Sequence, residues 1–150
     1  MSNRFLIAAA VLSALASLLH VACIYFGAPW YRFFGAGEEM ARMAEAGSWF
    51  PGLVTAGIAA VLGIWSLYAL SGAGVIRRLP LLRTALCIIT AIYLLRGLMV
   101  LPVAFLHPQD VTTFLLWSSA ICLGFGVVHL IGLLQRWRLI ATGAAFAKVV

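Results

Sequence analysis

The sequence predicts an all-α polytopic membrane protein with four transmembrane helices and an amphipathic interfacial segment between the first and second. Three observations lead there. Hydrophobic residues make up 65% of the 150, and the mean hydropathy is +1.11, far more apolar surface than a water-facing domain carries. Apolar stretches near residues 5–26, 51–70, 81–104 and 112–134 each reach the roughly 20 residues that cross the hydrocarbon. The charges also alternate between the gaps. Glu38, Glu39 and Glu45 precede the second stretch and Asp110 the fourth, whereas Arg77, Arg78, Arg83, Arg136, Arg138 and Lys148 occupy the remaining gap and the tail.

That alternation sets an orientation. Arg4 precedes the first span, and short cytoplasmic segments retain Lys and Arg, so both termini are expected in the cytoplasm of a cell bounded by a bacterial inner membrane. The connections leave no room for a soluble domain, so residues 1–150 read as one four-helix transmembrane domain. The net charge of +6 follows from the topology, and Arg136 and Arg138 are expected to face anionic headgroups. No nucleic-acid partner is expected, because the basic residues are few and dispersed at helix ends.

The first span begins like a signal peptide, with Arg4 ahead of an apolar run, but residues 20–26 lack a small-x-small cleavage pattern. His20 also stands where a lipoprotein cleavage box needs an aliphatic residue, so the segment is read as a retained helix. Ser13, Ala16, Ser17, His20 and Cys23 recur every three or four residues, a mildly polar stripe that should face protein. His20 on that stripe is expected to hydrogen-bond across helices, with proton relay, metal ligation or donation to a headgroup as other uses of the ring.

The connection at about 27–50 contains Pro29 and the Gly35/Gly37 pair, which permit sharp turns, and then good helix formers from Glu38 to Ala46. Phe33, Phe34, Met40 and Met43 should face apolar surroundings, while Glu38, Glu39, Arg42 and Glu45 face water or one another. Glu38 and Arg42 have the spacing and order of a helical ion pair. The segment is expected along the outer interface, either as a plain surface helix or as a cover over the helix ends. Trp30, Trp49 and Trp137 fall near span boundaries, where an indole anchors well.

In the second and fourth spans, Ala56/Ala60, Ala59/Gly63 and Ala120/Gly124 form small-residue faces for close helix packing or for a homodimer. The third carries Arg96, which needs a partner, water or a route to the surface at such a depth. Counting about 1.5 Å per residue places His20 roughly 24 Å beyond Arg4 and Arg96 roughly 20 Å beyond Arg83, so both belong to the outer half. Tyr93, one turn before Arg96, is expected on its face, and Glu38 or Glu39 would reach it only if the connection folds inward. Pro102, near the outer end of the third span, reads as a boundary proline, the other use being to open a backbone carbonyl toward the Arg96 layer. His129 shares a stripe with Ser118, Cys122 and Gly126, in a layer different from that of His20, which argues against a bis-histidine haem centre within one chain.

Cys23, Cys87 and Cys122 lie in three different spans without a CxxC pair, so they read as small packing residues. A quinone-linked disulfide enzyme would need paired thiols, and a small drug exporter would need an acidic residue in the first span. No metal site is expected; His107 and Asp110 in the turn after the third span lack further ligands, and Pro108 there reverses the chain.

The expected function is that of an inner-membrane binding or transfer protein. His20, Arg96, Tyr93, Glu38 and Glu39 would line an outer-half cavity for a small amphipathic or anionic molecule or a membrane lipid. One alternative is an integral membrane enzyme acting on a lipid-like substrate, with His20 or a glutamate moving a proton and Arg96 holding an oxyanion. Another is a non-catalytic accessory subunit in which Arg96 pairs with a glutamate. No catalytic residue and no cofactor follow from the sequence.

Overall fold

The computed structural model describes residues 2–142; Lys148, counted above with the basic tail, lies outside them. The described residues are helical, without strands. Four helices are long and apolar enough to cross a membrane, Arg4–Phe26, Phe50–Ala73, Leu82–Leu106 and Thr113–Ile140, so the chain is an integral membrane protein.

The first of these is α1 (Arg4–Phe26), and α4 (Phe50–Ala73) is the second. The third is broken into α5 (Leu82–Leu98) and α6 (Val100–Leu106). Pro102 is the physical cause: it lacks the N–H that the Leu98 carbonyl would accept, and its ring crowds that carbonyl. Met99 keeps helical backbone angles, φ −59° and ψ −22°, so the helix continues through this interruption to Leu106, with Pro102 in its last turns. The fourth helix, α7 (Thr113–Thr142), runs past the expected end because Gln135 to Arg138 are helix formers with no breaker among them. Its 30 residues span about 45 Å, more than the roughly 30 Å of hydrocarbon.

The chain packs as two compact units. Ser13–Ile64 forms one of them, holding the later part of α1, α2 (Ala28–Phe33), α3 (Glu38–Glu45) and the start of α4. Here Ser17 donates a hydrogen bond to the Ala59 carbonyl at 2.7 Å, and a Cβ on Gly63 would lie 3.6 Å from the Ser17 hydroxyl. The Ala59/Gly63 face therefore receives α1, whereas Ala56 and Ala60 are exposed. The polar stripe faces protein as its spacing implies, with Ser13 and Cys23 buried.

The connection folds as the amphipathic reading anticipates, with α3 over nearly the residues expected. Gly27 at φ 71° turns the chain out of α1, and Gly37 at φ 99° leads into α3, backbone angles that other residues rarely adopt. Cys23, Ala28, Tyr31 and Ala41 form a buried cluster flanked by Trp30, Phe34 and Ala44, which holds α2 and α3 against the end of α1. Phe33 is 79% exposed, so of the two apolar surroundings expected for it, hydrocarbon or the bundle, it is not packed into the protein.

The other unit contains the chain up to Leu12 and from Trp65 onward. Asn3 caps α1, its Oδ1 accepting from the Leu6 amide at 2.8 Å while its Nδ2 donates to Gln135 on α7 at 2.8 Å. Leu82, Leu86, Leu133 and Ile140 make its main apolar core, and Ala9, Ala10 and Ala69 a tighter one. The helices α5 and α7 are antiparallel and in very close contact. A Cβ on Gly97 would meet the Leu123 backbone nitrogen at 2.6 Å, and one on Gly126 would meet that of Leu94 at 2.9 Å. Position 97 thus faces 123 and position 94 faces 126. Gly124, on the other hand, opens to empty space, so the Ala120/Gly124 face is not the one used here.

Candidate functional site around Arg96

The α5–α7 register shows what Arg96 does with its charge. Its Cα is level with residue 124, yet its Nη1 donates to Ser119 Oγ at 3.3 Å and its Nη2 to Ser118 Oγ at 3.2 Å. Those serines stand five to six residues nearer the start of α7, about 8 Å along the axis. The side chain therefore climbs along α5 toward α6, against the direction in which helical side chains normally lean. From its Cα the guanidinium would lie about 15 Å below the Leu106 end; at Ser118 and Ser119 it lies only about 8 Å from the start of α7. This is snorkelling between helices.

The acceptors are neutral. Ser118 passes its own proton to the Leu115 carbonyl at 3.2 Å, and Ser119 is 1% exposed. Both guanidinium bonds exceed the roughly 2.7–2.9 Å of a charge-assisted contact to an anion. The one acidic side chain of this unit is Asp110, in the short turn Pro108–Asp110 before α7. Arg96 therefore meets two hydroxyls and, among the described residues of its own unit, no carboxylate.

Tyr93 lies on the preceding turn of α5 and faces α7 at a level farther from α6. Its ring is 5% exposed and sits 5.0 Å from Trp65, 5.5 Å from Phe125 and 5.1 Å from His129, centroid to centroid. It belongs to an aromatic cluster rather than to the hydroxyl layer that receives the guanidinium. His129 is fully buried, with Nδ1 2.9 Å from the Phe125 carbonyl; an Nδ1–H donating there leaves Nε2 without a partner. The stripe of Ser118, Cys122, Gly126 and His129 thus faces α5, with three of its four residues in direct contact with Arg96, Leu94 or Tyr93.

His20, Glu38 and Glu39 belong to the other unit. His20 places Nδ1 2.7 Å from the Ala16 carbonyl one turn earlier, so its proton satisfies its own helix rather than bridging to a neighbour. Glu38 is held by Arg32, which donates through Nε and Nη2 at 2.9 Å each, and Glu45 by the same guanidinium at 2.6 Å and 3.0 Å. The helical pair foreseen with Arg42 is present at 3.5 Å. Arg32 keeps the Glu38 and Glu45 carboxyls below the usual carboxylate range, and they in turn raise its own pKa. Glu39 is exposed.

Two surface hollows stand out, and neither is lined by any of the five residues singled out in the sequence. One, of about 450 Å³, is bounded by Pro29, Trp30, Phe33 and Phe34; the other, of about 380 Å³, by Leu134, Gln135, Trp137 and Arg138. Arg136 departs from its expected role at the headgroups: it is 8% exposed and donates to the Ala73 carbonyl at 3.0 Å, satisfying the C-terminus of α4. Among the described residues no three His, Cys, Asp or Glu side chains gather as a metal site.

No protein-family model, curated protein or solved structure matches this chain.

Ser118 and Ser119 were not assigned to Arg96 from the sequence, although a signal existed. Two adjacent hydroxyls one or two turns into the fourth span lie at the depth that a snorkelling arginine of the third would reach.

Proposed function

We propose that the chain is a membrane-embedded binding or transfer protein for a small amphipathic anion, whose charged group is held by Arg96 beside Ser118 and Ser119. The observation that carries this reading is an arginine inside a span whose guanidinium donates to two neutral hydroxyls and, among the described residues of its own unit, to no carboxylate. Placing an arginine at mid-span costs about 2.5–3.5 kcal/mol on insertion scales, and hydroxyl contacts offset part of that without neutralising the charge. An oxyanion arriving between α5 and α7 would supply both the counter-charge and shorter bonds, and the planar fork suits a carboxylate or phosphate. With both termini cytoplasmic in a bacterial inner membrane, the ligand would approach from the outer leaflet.

The test is native mass spectrometry of protein released from its own membrane, comparing wild type with Arg96→Gln and the double variant Ser118→Ala/Ser119→Ala, each checked for helicity and monodispersity. An anionic amphiphile retained by wild type and lost from Arg96→Gln is the expected result. Absence of any small molecule on wild type, with a membrane subunit that co-purifies only while Arg96 is present, would instead make the guanidinium the partner of another protein's carboxylate.

A further inference from the structure

The opposite end of α7 carries a feature that the Arg96 reading does not use. Trp137 lies 24 residues beyond Thr113, about 36 Å along the helix and therefore past a hydrocarbon layer of roughly 30 Å. The hollow lined by Leu134, Gln135, Trp137 and Arg138 thus falls at headgroup depth, with Leu134, 64% exposed, one turn closer to the bilayer centre. The Arg83 guanidinium, from the first turn of α5, rests 3.7 Å from the centroid of the Trp137 ring and fixes the indole beside the hollow.

Among the described residues, the charged side chains that line or adjoin it are arginines. Arg78 and Arg136 close neighbouring helix ends through the Ile140 and Ala73 carbonyls, and Arg83 and Arg138 flank the hollow itself. The unit's one acidic side chain, Asp110, stands beyond the other end of α7. A cationic rim, an immobilised indole at the interface and an apolar floor in line with the acyl layer match each part of an anionic glycerophospholipid in turn: phosphate, glycerol backbone and chain.

We propose that this hollow is a docking site for an anionic glycerophospholipid of the adjacent leaflet, its phosphate held by Arg138 and Arg83 and its upper acyl chain lying along Leu134. The site is distinct from Arg96 and stands whether or not that residue binds a ligand.

Purified protein in mixed micelles would be titrated with phosphatidylglycerol, with phosphatidylcholine and with soluble glycerol phosphate, and bound lipid counted by native mass spectrometry. Phosphatidylglycerol should be retained in preference to the other two. Arg138→Gln should weaken it by about fivefold or more, the effect of one basic residue near an anionic surface being about that size. Trp137→Leu, which changes no charge, should weaken it as well, while Arg77→Gln, which removes the same charge outside the hollow, should not. Equal losses in Arg77→Gln and Arg138→Gln, with Trp137→Leu unaffected, would reduce the effect to diffuse surface potential and overturn the site. Equally tight binding of glycerol phosphate would overturn the lipid as its occupant.

Discussion

Replacing Gly97 by alanine tests the packing on which the Arg96 geometry depends. The added methyl carbon would stand 2.6 Å from the Leu123 nitrogen, 2.7 Å from its Cα and 2.8 Å from its Cβ. Ordinary carbon contacts lie near 3.5–4.0 Å, so α5 and α7 must part locally by about 1 Å, and a gap of that size forfeits a quarter to a half of each neighbouring contact energy. Two of the three atoms are backbone and cannot rotate aside. The cost should therefore fall at the upper end of the about 1–3 kcal/mol seen for overpacked cores. Gly124→Ala is the control, because its methyl would meet nothing within 4 Å and would gain from the better helix propensity of alanine. Unfolding equilibria in bicelles would compare the two variants with wild type. Equal stability of Gly97→Ala and Gly124→Ala would refute the α5–α7 register, and with it the placement of Arg96 against Ser118 and Ser119.

Other outcomes follow from the same geometry. Asn3→Ala removes both a helix cap and the bond to Gln135, and should lower stability by about 1–2 kcal/mol, read as a shift of the same unfolding curve; an unshifted curve would show that the start of α1 is not held as described. Glu38 and Glu45 have folded pKa values below their unfolded ones, so their contribution is complete above the unfolded value of about 4.3 and is lost as pH falls through the lower folded values. The protection factors of the amides across residues 38–45, taken relative to intrinsic exchange at each pH, should accordingly fall below about pH 4 and, in Arg32→Gln, be low already at neutral pH. Protection that ignores both pH and Arg32 would mean that the buried cluster of Cys23, Tyr31 and Ala41 alone holds α3.

Much of the fold is legible in the sequence because lipid imposes it. A segment in hydrocarbon must satisfy its backbone internally, so each long apolar run becomes a helix, and the four runs appear almost where composition places them. The amphipathic α3 was legible for a related reason: Glu38, Arg42 and Glu45 share one side of a short run of helix formers. Arg32 was not legible as their common partner, because it lies across the turn formed by Gly35 and Gly37, and pairing over a turn has no fixed period. Pro102 was visible as a helix breaker, but its position relative to the membrane depended on whether the chain resumed a helix after it.

The candidate site divides along similar lines. Arg96 declared itself by chemistry, since a guanidinium within a span must be accounted for wherever it points. Where it points was decided by tertiary contact: the close approach of Gly97 to Leu123 and of Gly126 to Leu94 sets the stagger of α5 against α7, and that stagger brings Ser118 and Ser119 within its reach. Tyr93, three residues away on the same helix, went instead to Trp65, Phe125 and His129. The inward turn of Arg136 had the same origin, because the Ala73 carbonyl that it satisfies becomes its neighbour only when α4 and α7 pack.

The sequence by itself thus determined that the chain lives in a membrane, how many times it crosses, and which residue bears a charge there, because hydropathy and ionisation are properties of single residues summed along a helix. Only the tertiary structure decided which groups meet that charge, since helices without a strong pattern of sidedness can rotate and slide until glycine contacts fix their register, and a shift of one turn would have given Arg96 different neighbours.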